Sequence, residues 1–178
     1  MSEPVPYLDL RAQLKPLRAE LDAAIARNLA LCEATGAPLH IAHITSARGL
    51  ELVAEAKRRG LPVTCEVTPS HLFLTEDAVF GGGSAPIYDT SAKVNPPLRT
   101  EADRRALVQG VNDGTIDAIA TDHAPHATQD KLCEFDHAAF GISCIETALG
   151  SVMALVGRGE LALTWALAAL TAGPARAF

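Results

Sequence analysis

A carboxylate and two imidazoles follow a short apolar segment in the last third of the chain. The run Ala120-Thr121-Asp122-His123-Ala124-Pro125-His126 comes directly after residues 116–120, which have the composition of a buried strand. A buried Asp is costly without a partner, and metal coordination or acid–base chemistry usually supplies one. Catalytic groups gather at the carboxyl ends of strands in parallel α/β sheets and barrels. Asp122 is therefore the first candidate, and the simpler alternative is an Asp that caps the next turn beside two solvated His.

Histidines occur at the end of a second strand-like segment, residues 39–44, which contains His40 and His43. Residues three apart on a strand face opposite sides, so only one of the two is expected to face a shared site. His43 lies nearer the carboxyl end and is the better candidate. A lone His is more often structural than a ligand. A His and an Asp at the ends of parallel strands, however, suit zinc or another borderline divalent metal.

Two further runs could contact a ligand. Asn95 is followed by two prolines, which rigidify the backbone, and an amide held in this way can bind a planar amide or imide through one donor and one acceptor. Taken alone, the same run is better explained as a rigid turn before a helix. Phe140-Gly141 ends the loop after Asp122, and Gly would let a ligand approach the backbone closely. This second signal is weak by itself.

Helical and strand-like segments alternate along the chain. Apolar residues at helical spacing predict a first helix over residues 14–35 that ends at Gly36. The remaining predicted elements are a strand at 39–44, a helix from Thr45 or Ser46 to Arg59, a strand at 61–67, a flexible loop at Gly81-Gly82-Gly83, a helix after Thr100 to about 113, a strand at 116–120, and helices at 145–156 and 161–170. Such alternation predicts parallel strands joined by right-handed crossovers. Three strands are few for a complete barrel.

Composition narrows the classes of function. The chain has 178 residues, 48% of them hydrophobic, and a formal net charge of −6, which is typical of one soluble globular domain. The absence of a basic stripe argues against a nucleic-acid partner. No apolar run reaches eighteen residues and the first residues do not resemble a signal peptide, so we expect neither a membrane span nor secretion. The scattered cysteines predict buried, reduced thiols in the cytoplasm: Cys32, Cys65, Cys133 and Cys144.

Five runs, in their order along the chain, resemble dihydroorotase of the multi-domain bacterial type, within the amidohydrolase superfamily. They are His40-Ile41-Ala42-His43-Ile44-Thr45, Glu66-Val67-Thr68-Pro69-Ser70-His71-Leu72, Asn95-Pro96-Pro97-Leu98-Arg99, residues 120–126, and Phe140-Gly141-Ile142. The third and fourth runs together favour dihydroorotase over the related allantoinases and dihydropyrimidinases.

The resemblance implies a fold and an activity. The fold is a partial TIM (β/α)8 barrel of the metal-dependent amidohydrolase type, containing about the last three βα units in one domain over residues 1–178. Residues 1–36 would form a leading helix, and residues 37–178 would form strands six to eight with their helices. The implied reaction is the reversible hydrolysis of dihydroorotate to N-carbamoyl-aspartate in pyrimidine biosynthesis, with one or two Zn²⁺ ions.

The resemblance also implies roles for individual residues. His43 and Asp122 match metal-binding positions, and Asp122 also matches the general acid/base. Asn95, His126 and the backbone of Phe140-Gly141 match positions that contact the substrate.

The chain departs from the family pattern in several places. It lacks the His-x-His of the first strand with its nearby Arg, the middle-strand carboxylate, the fifth-strand His and the small β domain. Ser70 replaces a His, and Ala139 replaces a Pro. We therefore expect the isolated chain to be incomplete and inactive or unstable, with a site that binds zinc weakly. Its open strand edges could pair with a complementary barrel fragment. Two alternatives are a non-catalytic subunit that scaffolds aspartate carbamoyltransferase, and a sibling cyclic amidase with another substrate.

Overall fold

The computed structural model of the chain describes residues 10–81 and 86–178, with side chains from residue 19 onward. Gly82 and Gly83 of the predicted flexible loop therefore lie outside the described residues. None of the described helices is both long enough and apolar enough to cross a membrane.

Three parallel strands form a sheet at the centre of the described residues. They are β1 (Leu39–Ile41), β2 (Val63–Val67) and β3 (Ala118–Ile119), in the spatial order β1-β2-β3. His40 pairs with Thr64, and Glu66 pairs with Ala118. Because the strands are parallel, their carboxyl ends lie at one rim of the sheet, as the alternation of elements predicts.

The first strand is shorter than predicted. It ends at Ile41 because His43 adopts a left-handed backbone conformation with φ of 50°, which a strand cannot continue. The amide of Ile44 nevertheless donates a hydrogen bond to the Glu66 carbonyl at 2.9 Å. The turn at His43 is therefore fastened to the end of β2.

Helices surround this sheet at the positions that the sequence predicts, with short additional helices in the loops. Their bounds are α1 (Leu10–Thr35), α2 (Ala47–Arg58), α3 (Pro69–Phe73), α4 (Asp77–Phe80), α5 (Glu101–Asn112), α6 (Thr128–Lys131), α7 (Ile145–Gly157), α8 (Leu163–Leu170) and α9 (Ala172–Ala177).

The boundaries of α1, α2 and α5 follow the predicted capping chemistry. Ser46 accepts a hydrogen bond from the Gly49 amide at 3.0 Å, and Thr100 accepts one from the Asp103 amide at 3.3 Å, which satisfies amides that lack partners within the helix. Gly36 follows α1 with φ of 69°, a conformation that favours glycine.

The main hydrophobic core fills the space between the sheet and the helices. Its most deeply buried members are Val53, Cys65, Val67, Leu72, Leu107, Val111, Val152, Leu155 and Ala166. Leu29 and Cys32 in the last turns of α1 join this core, whereas Leu21, two turns earlier, is 40% exposed.

All four cysteines have free thiols. Three of them are buried as predicted, but Cys133 is exposed. The prediction fails for Cys133 because this residue lies in the polar loop after α6 rather than on a packed element.

Candidate functional site

His43 and Asp122 meet at the carboxyl rim of the sheet. His43 Nε2 lies 3.6 Å from Asp122 Oδ1, and both side chains are partly exposed. Both residues have left-handed backbones, with φ of 50° for His43 and 48° for Asp122. Such conformations are unfavourable for residues other than glycine and cluster at functional sites. The structure thus brings together the two residues that the sequence selects as metal ligands, and their role as ligands stays a prediction.

Glu66 lies behind His43 at the end of β2. It is 7% exposed, and its oxygens are 3.0 Å from His43 Nδ1 and 3.3 Å from His40 Nε2. Both histidines therefore contact one carboxylate, and the expectation that they face opposite sides is wrong. That expectation assumed a continuous strand, whereas the strand ends before His43 and the left-handed backbone turns its side chain.

His71 connects this rim to the Asn95-Pro96 segment. Its imidazole is buried, with Nδ1 2.6 Å from the Thr68 hydroxyl and Nε2 2.8 Å from the Pro96 carbonyl oxygen. A carbonyl only accepts, so Nε2 carries the proton and Nδ1 accepts from Thr68. Burial lowers the pKa of His71 to about 4, against the smaller opposing effect of the bond to Pro96. His71 is therefore a neutral structural residue near neutral pH.

His123, next to Asp122, has a structural partner of its own. Its Nδ1 accepts hydrogen bonds from the backbone amides of Cys144 and Ile145, both at 3.1 Å. These amides open α7, so the imidazole occupies the place of a side-chain cap. The backbone of His123 also pairs with Ile142. Asp122 is thereby fixed between β3 and the start of α7.

The predicted substrate-contacting residues His126, Phe140 and Gly141 form one group. His126 Nε2 donates to the Phe140 carbonyl at 2.8 Å, and the Gly141 amide donates to the Lys93 carbonyl at 2.9 Å. Gly141 has φ of 143°, and a Cβ there would lie 2.5 Å from the Ala124 carbonyl oxygen. Position 141 therefore requires glycine, because its backbone lies too close to the backbone of Ala124 for any side chain to fit.

Two lysines hold the loop of residues 127–141 against the segment that precedes Asn95. Lys93 Nζ donates to the carbonyls of Phe135, Asp136 and Ala138 at 2.6, 3.1 and 2.7 Å, and lies 4.3 Å from the centre of the Phe140 ring. Lys131, in the loop itself, donates from Nζ to the Thr90 carbonyl at 2.9 Å and, within the loop, to the Ala139 carbonyl at 2.8 Å. The loop after Asp122 and the segment before Asn95 are therefore crosslinked by charged hydrogen bonds.

Asn95 is exposed and lies beside a cavity of about 410 Å³. Lys93 and Phe140 also line this cavity. Its remaining wall is mostly apolar and comes from a second hydrophobic cluster whose members are Val79, Phe80, Ala92, Val94 and Leu98. Asn95 and Phe140 thus share a cavity wall, while His43 and Asp122 form a separate pair at the sheet.

Within residues 10–81 and 86–178, no group of three or more His, Cys, Asp or Glu side chains has the arrangement of a metal centre. The candidate site therefore offers a pair of ligands. Zinc sites in proteins generally use three or four protein ligands.

Reasoning from the sequence does not identify four residues that support the site: Glu66, His71, Lys93 and Lys131. Each acts through a contact with a residue distant in the chain, and sequence spacing does not encode such contacts. A signal exists for Glu66 alone, because a carboxylate in an otherwise apolar strand requires a buried partner.

Comparison with known proteins places these motifs in context. A dihydroorotase from Anaeromyxobacter sp. (strain K) is 52% identical over 163 residues, which is 92% of this chain and 36% of that protein. A dihydroorotase from Pelotomaculum thermopropionicum is 48% identical over 172 residues, covering 96% of this chain and 39% of that protein. No family model matches the chain.

The fold is shared with solved structures of cyclic amidases. The structure of the L-hydantoinase (dihydropyrimidinase) from Arthrobacter aurescens matches with a TM-score of 0.79 and 29% identity, over 88% of this chain and 34% of that one. The three-stranded sheet and its helices thus correspond to about a third of an amidohydrolase TIM barrel. The chain spans little more than a third of the length of the curated relatives it matches.

Proposed function

We propose that this chain, a homologue of the carboxyl-terminal part of dihydroorotase, supplies one wall of a metal-dependent site for the reversible hydrolysis of dihydroorotate to N-carbamoyl-aspartate. The 3.6 Å separation of His43 Nε2 and Asp122 Oδ1 carries the proposal. It is supported by the left-handed backbone of both residues, a conformation that clusters at functional sites.

The pair fits a zinc ion. Two ligands with bonds of roughly 2.0–2.2 Å to one tetrahedral zinc lie about 3.4 Å apart, close to the distance between His43 Nε2 and Asp122 Oδ1. Imidazole and carboxylate are both ordinary zinc ligands. We assign His43 and Asp122 as two ligands of a set whose other members lie outside the described three-stranded sheet. When bound, the metal supplies the Lewis acidity that makes water a nucleophile near neutral pH.

Asp122 performs the proton transfer in this proposal. Its carboxylate accepts the proton of the attacking water and passes it to the ring nitrogen that departs, which is general base and then general acid catalysis. The side chain is partly exposed at the rim, so water and substrate can reach it.

The substrate is bound by Asn95, His126 and the Phe140-Gly141 backbone. The amide of Asn95 matches the donor and acceptor of a cyclic imide. His126 and Lys93 already hold the backbone of Phe140 and Gly141, so its position is set by the protein before a ligand binds. Such preorganisation reduces the cost of binding.

We further propose that the chain is one partial-barrel domain over residues 1–178. Its leading helix is the predicted segment 1–36, of which residues 1–9 lie outside the described residues, and residues 37–178 are units six to eight. In this proposal the chain acts in the cytoplasm with a complementary barrel fragment. β1 and β3 are the outer strands of the described sheet. An apolar stripe is exposed on α7, which follows β3 and the short helix α6 along the chain: Ile145, Leu149 and Met153. An added βα unit would cover both an outer strand and this stripe. The His43–Asp122 pair favours this role over a scaffold for aspartate carbamoyltransferase.

Co-expression tests the proposal. The chain is produced with the part of the Anaeromyxobacter relative that precedes the matched region, and zinc-dependent hydrolysis is assayed with dihydroorotate and, for the sibling amidase alternative, with hydantoin. We expect dihydroorotate turnover that Asp122→Asn lowers at least about 100-fold, while Asp113→Asn, at an exposed position after α5, leaves it unchanged. An assembled complex that is inactive, or active with Asp122→Asn, contradicts the proposal.

A further inference from the structure

Glu66 is a buried acidic residue between two imidazoles, and the proposed reaction gives it no role. One carboxylate oxygen faces His43 Nδ1 at 3.0 Å and the other faces His40 Nε2 at 3.3 Å. Both nitrogen atoms are buried from solvent, and neither has an aligned hydrogen-bond partner among the described residues. The contacts are therefore electrostatic, and each depends on which ring nitrogen carries the proton.

The contact distance determines the position of the proton on His43. An unprotonated Nδ1 would place a nitrogen lone pair 3.0 Å from a carboxylate oxygen, with no water between them, which is repulsive. A protonated Nδ1 places an N–H dipole against the oxygen, which is attractive in a buried environment. Asp122 Oδ1 faces Nε2 at 3.6 Å and by the same argument favours a proton there, but this contact is longer and partly exposed to solvent, which screens it. A neutral His43 is therefore more stable with its proton on Nδ1.

We propose that Glu66 is a positioning residue that keeps the proton of neutral His43 on Nδ1 and so leaves the Nε2 lone pair directed to the side of Asp122. An imidazole binds a metal only through an unprotonated nitrogen, and the hydrogen bond or charge at its other nitrogen selects which one that is. The functional meaning of this inference rests on the proposed metal site, whereas the proton position itself does not.

His40 and Thr64 complete the arrangement on the other side of the carboxylate. By the same argument His40 carries its proton on Nε2, facing Glu66. Its Nδ1, 2.8 Å from the Thr64 hydroxyl, then accepts a hydrogen bond from that hydroxyl. Each oxygen of Glu66 thereby faces one N–H group, so the buried carboxylate has two favourable electrostatic contacts.

Long-range ¹H–¹⁵N NMR of the metal-free chain at about pH 8 tests the inference, because it distinguishes a protonated from an unprotonated ring nitrogen. We expect a protonated Nδ1 and an unprotonated Nε2 for His43. In Glu66→Gln, which keeps the side-chain shape, the amide can present either its oxygen or its NH₂ group, so we expect a mixture of both tautomers. A wild-type spectrum with the proton on Nε2, or a Glu66→Gln spectrum identical to it, overturns the inference.

Zinc affinity gives a second readout. Partners of metal-binding His residues typically change metal affinity by roughly 10- to 100-fold when mutated, and we expect such a loss in Glu66→Gln by competition with a chromophoric chelator. Asp117→Asn is the matched control, since Asp117 is a carboxylate that contacts Lys57 at the amino end of β3. The control should change neither the His43 spectrum nor the zinc affinity. If Asp117→Asn loses as much zinc affinity as Glu66→Gln, the positioning role is overturned. The NMR result does not depend on the proposed function, because it holds even if the chain has no dihydroorotase activity.

Discussion

Acidification should destabilise the chain through His71. The pKa of this buried imidazole is about 4, below its ordinary value of 6.5. Between these two pH values the unfolded chain binds a proton that the folded chain does not, so stability falls as the pH falls through this window. A difference of about 2.5 pH units at 1.36 kcal/mol each corresponds to about 3 kcal/mol. Above pH 6.5 and below pH 4, His71 adds no further pH dependence.

Urea unfolding at a series of pH values between 7.5 and 4 measures this contribution. His71→Gln keeps a polar side chain but removes the titrating group, so the difference in pH slope between the two proteins isolates His71. We expect the wild type to lose about 3 kcal/mol more than the variant between pH 6.5 and 4. Equal slopes would refute the reasoning, because they would mean that the His71 imidazole accepts a proton as easily folded as unfolded.

The 127–141 loop provides two further predictions. Gly141→Ala should cost about 1–3 kcal/mol of unfolding free energy, since a Cβ there meets the Ala124 carbonyl, whereas Gly150→Ala, in open space on α7, should stabilise slightly; equal effects in urea unfolding would contradict the close approach. Lys93→Met should cost about 2 kcal/mol or more and speed hydrogen exchange at residues 135–141, because three carbonyls lose their charged donor, while the exposed Arg105→Met serves as a control. Unchanged exchange at residues 135–141 would show that Lys93 does not hold the loop.

The strand ends and their chemistry can be predicted from the sequence. Apolar segments alternating with helical periodicity require parallel strands, and parallel strands bring their carboxyl ends to one rim. His43 and Asp122 each follow such a segment, so the topology places both at the same rim. Their strands are separated by β2, so the close contact between the two side chains does not follow from topology alone. The caps Ser46 and Thr100 are equally local and are predicted for the same reason.

The contacts that position these residues could not be predicted. The left-handed turn at His43 shortens β1 and reverses the expected direction of a side chain, because one φ angle changes the alternation of faces. Glu66 and Lys93 find their partners only when distant segments pack, and side-chain spacing along the chain carries no information on that packing. His71 has the residue type of a ligand, yet its two hydrogen bonds and its burial make it structural.

Anomalous diffraction at the zinc edge, from crystals of the chain grown with zinc, tests the central claim most directly. The account predicts a peak between the two residues at the carboxyl rim, about 2.0–2.2 Å from both His43 Nε2 and Asp122 Oδ1. Zinc bound elsewhere, or bound to His43 through Nδ1, would contradict it.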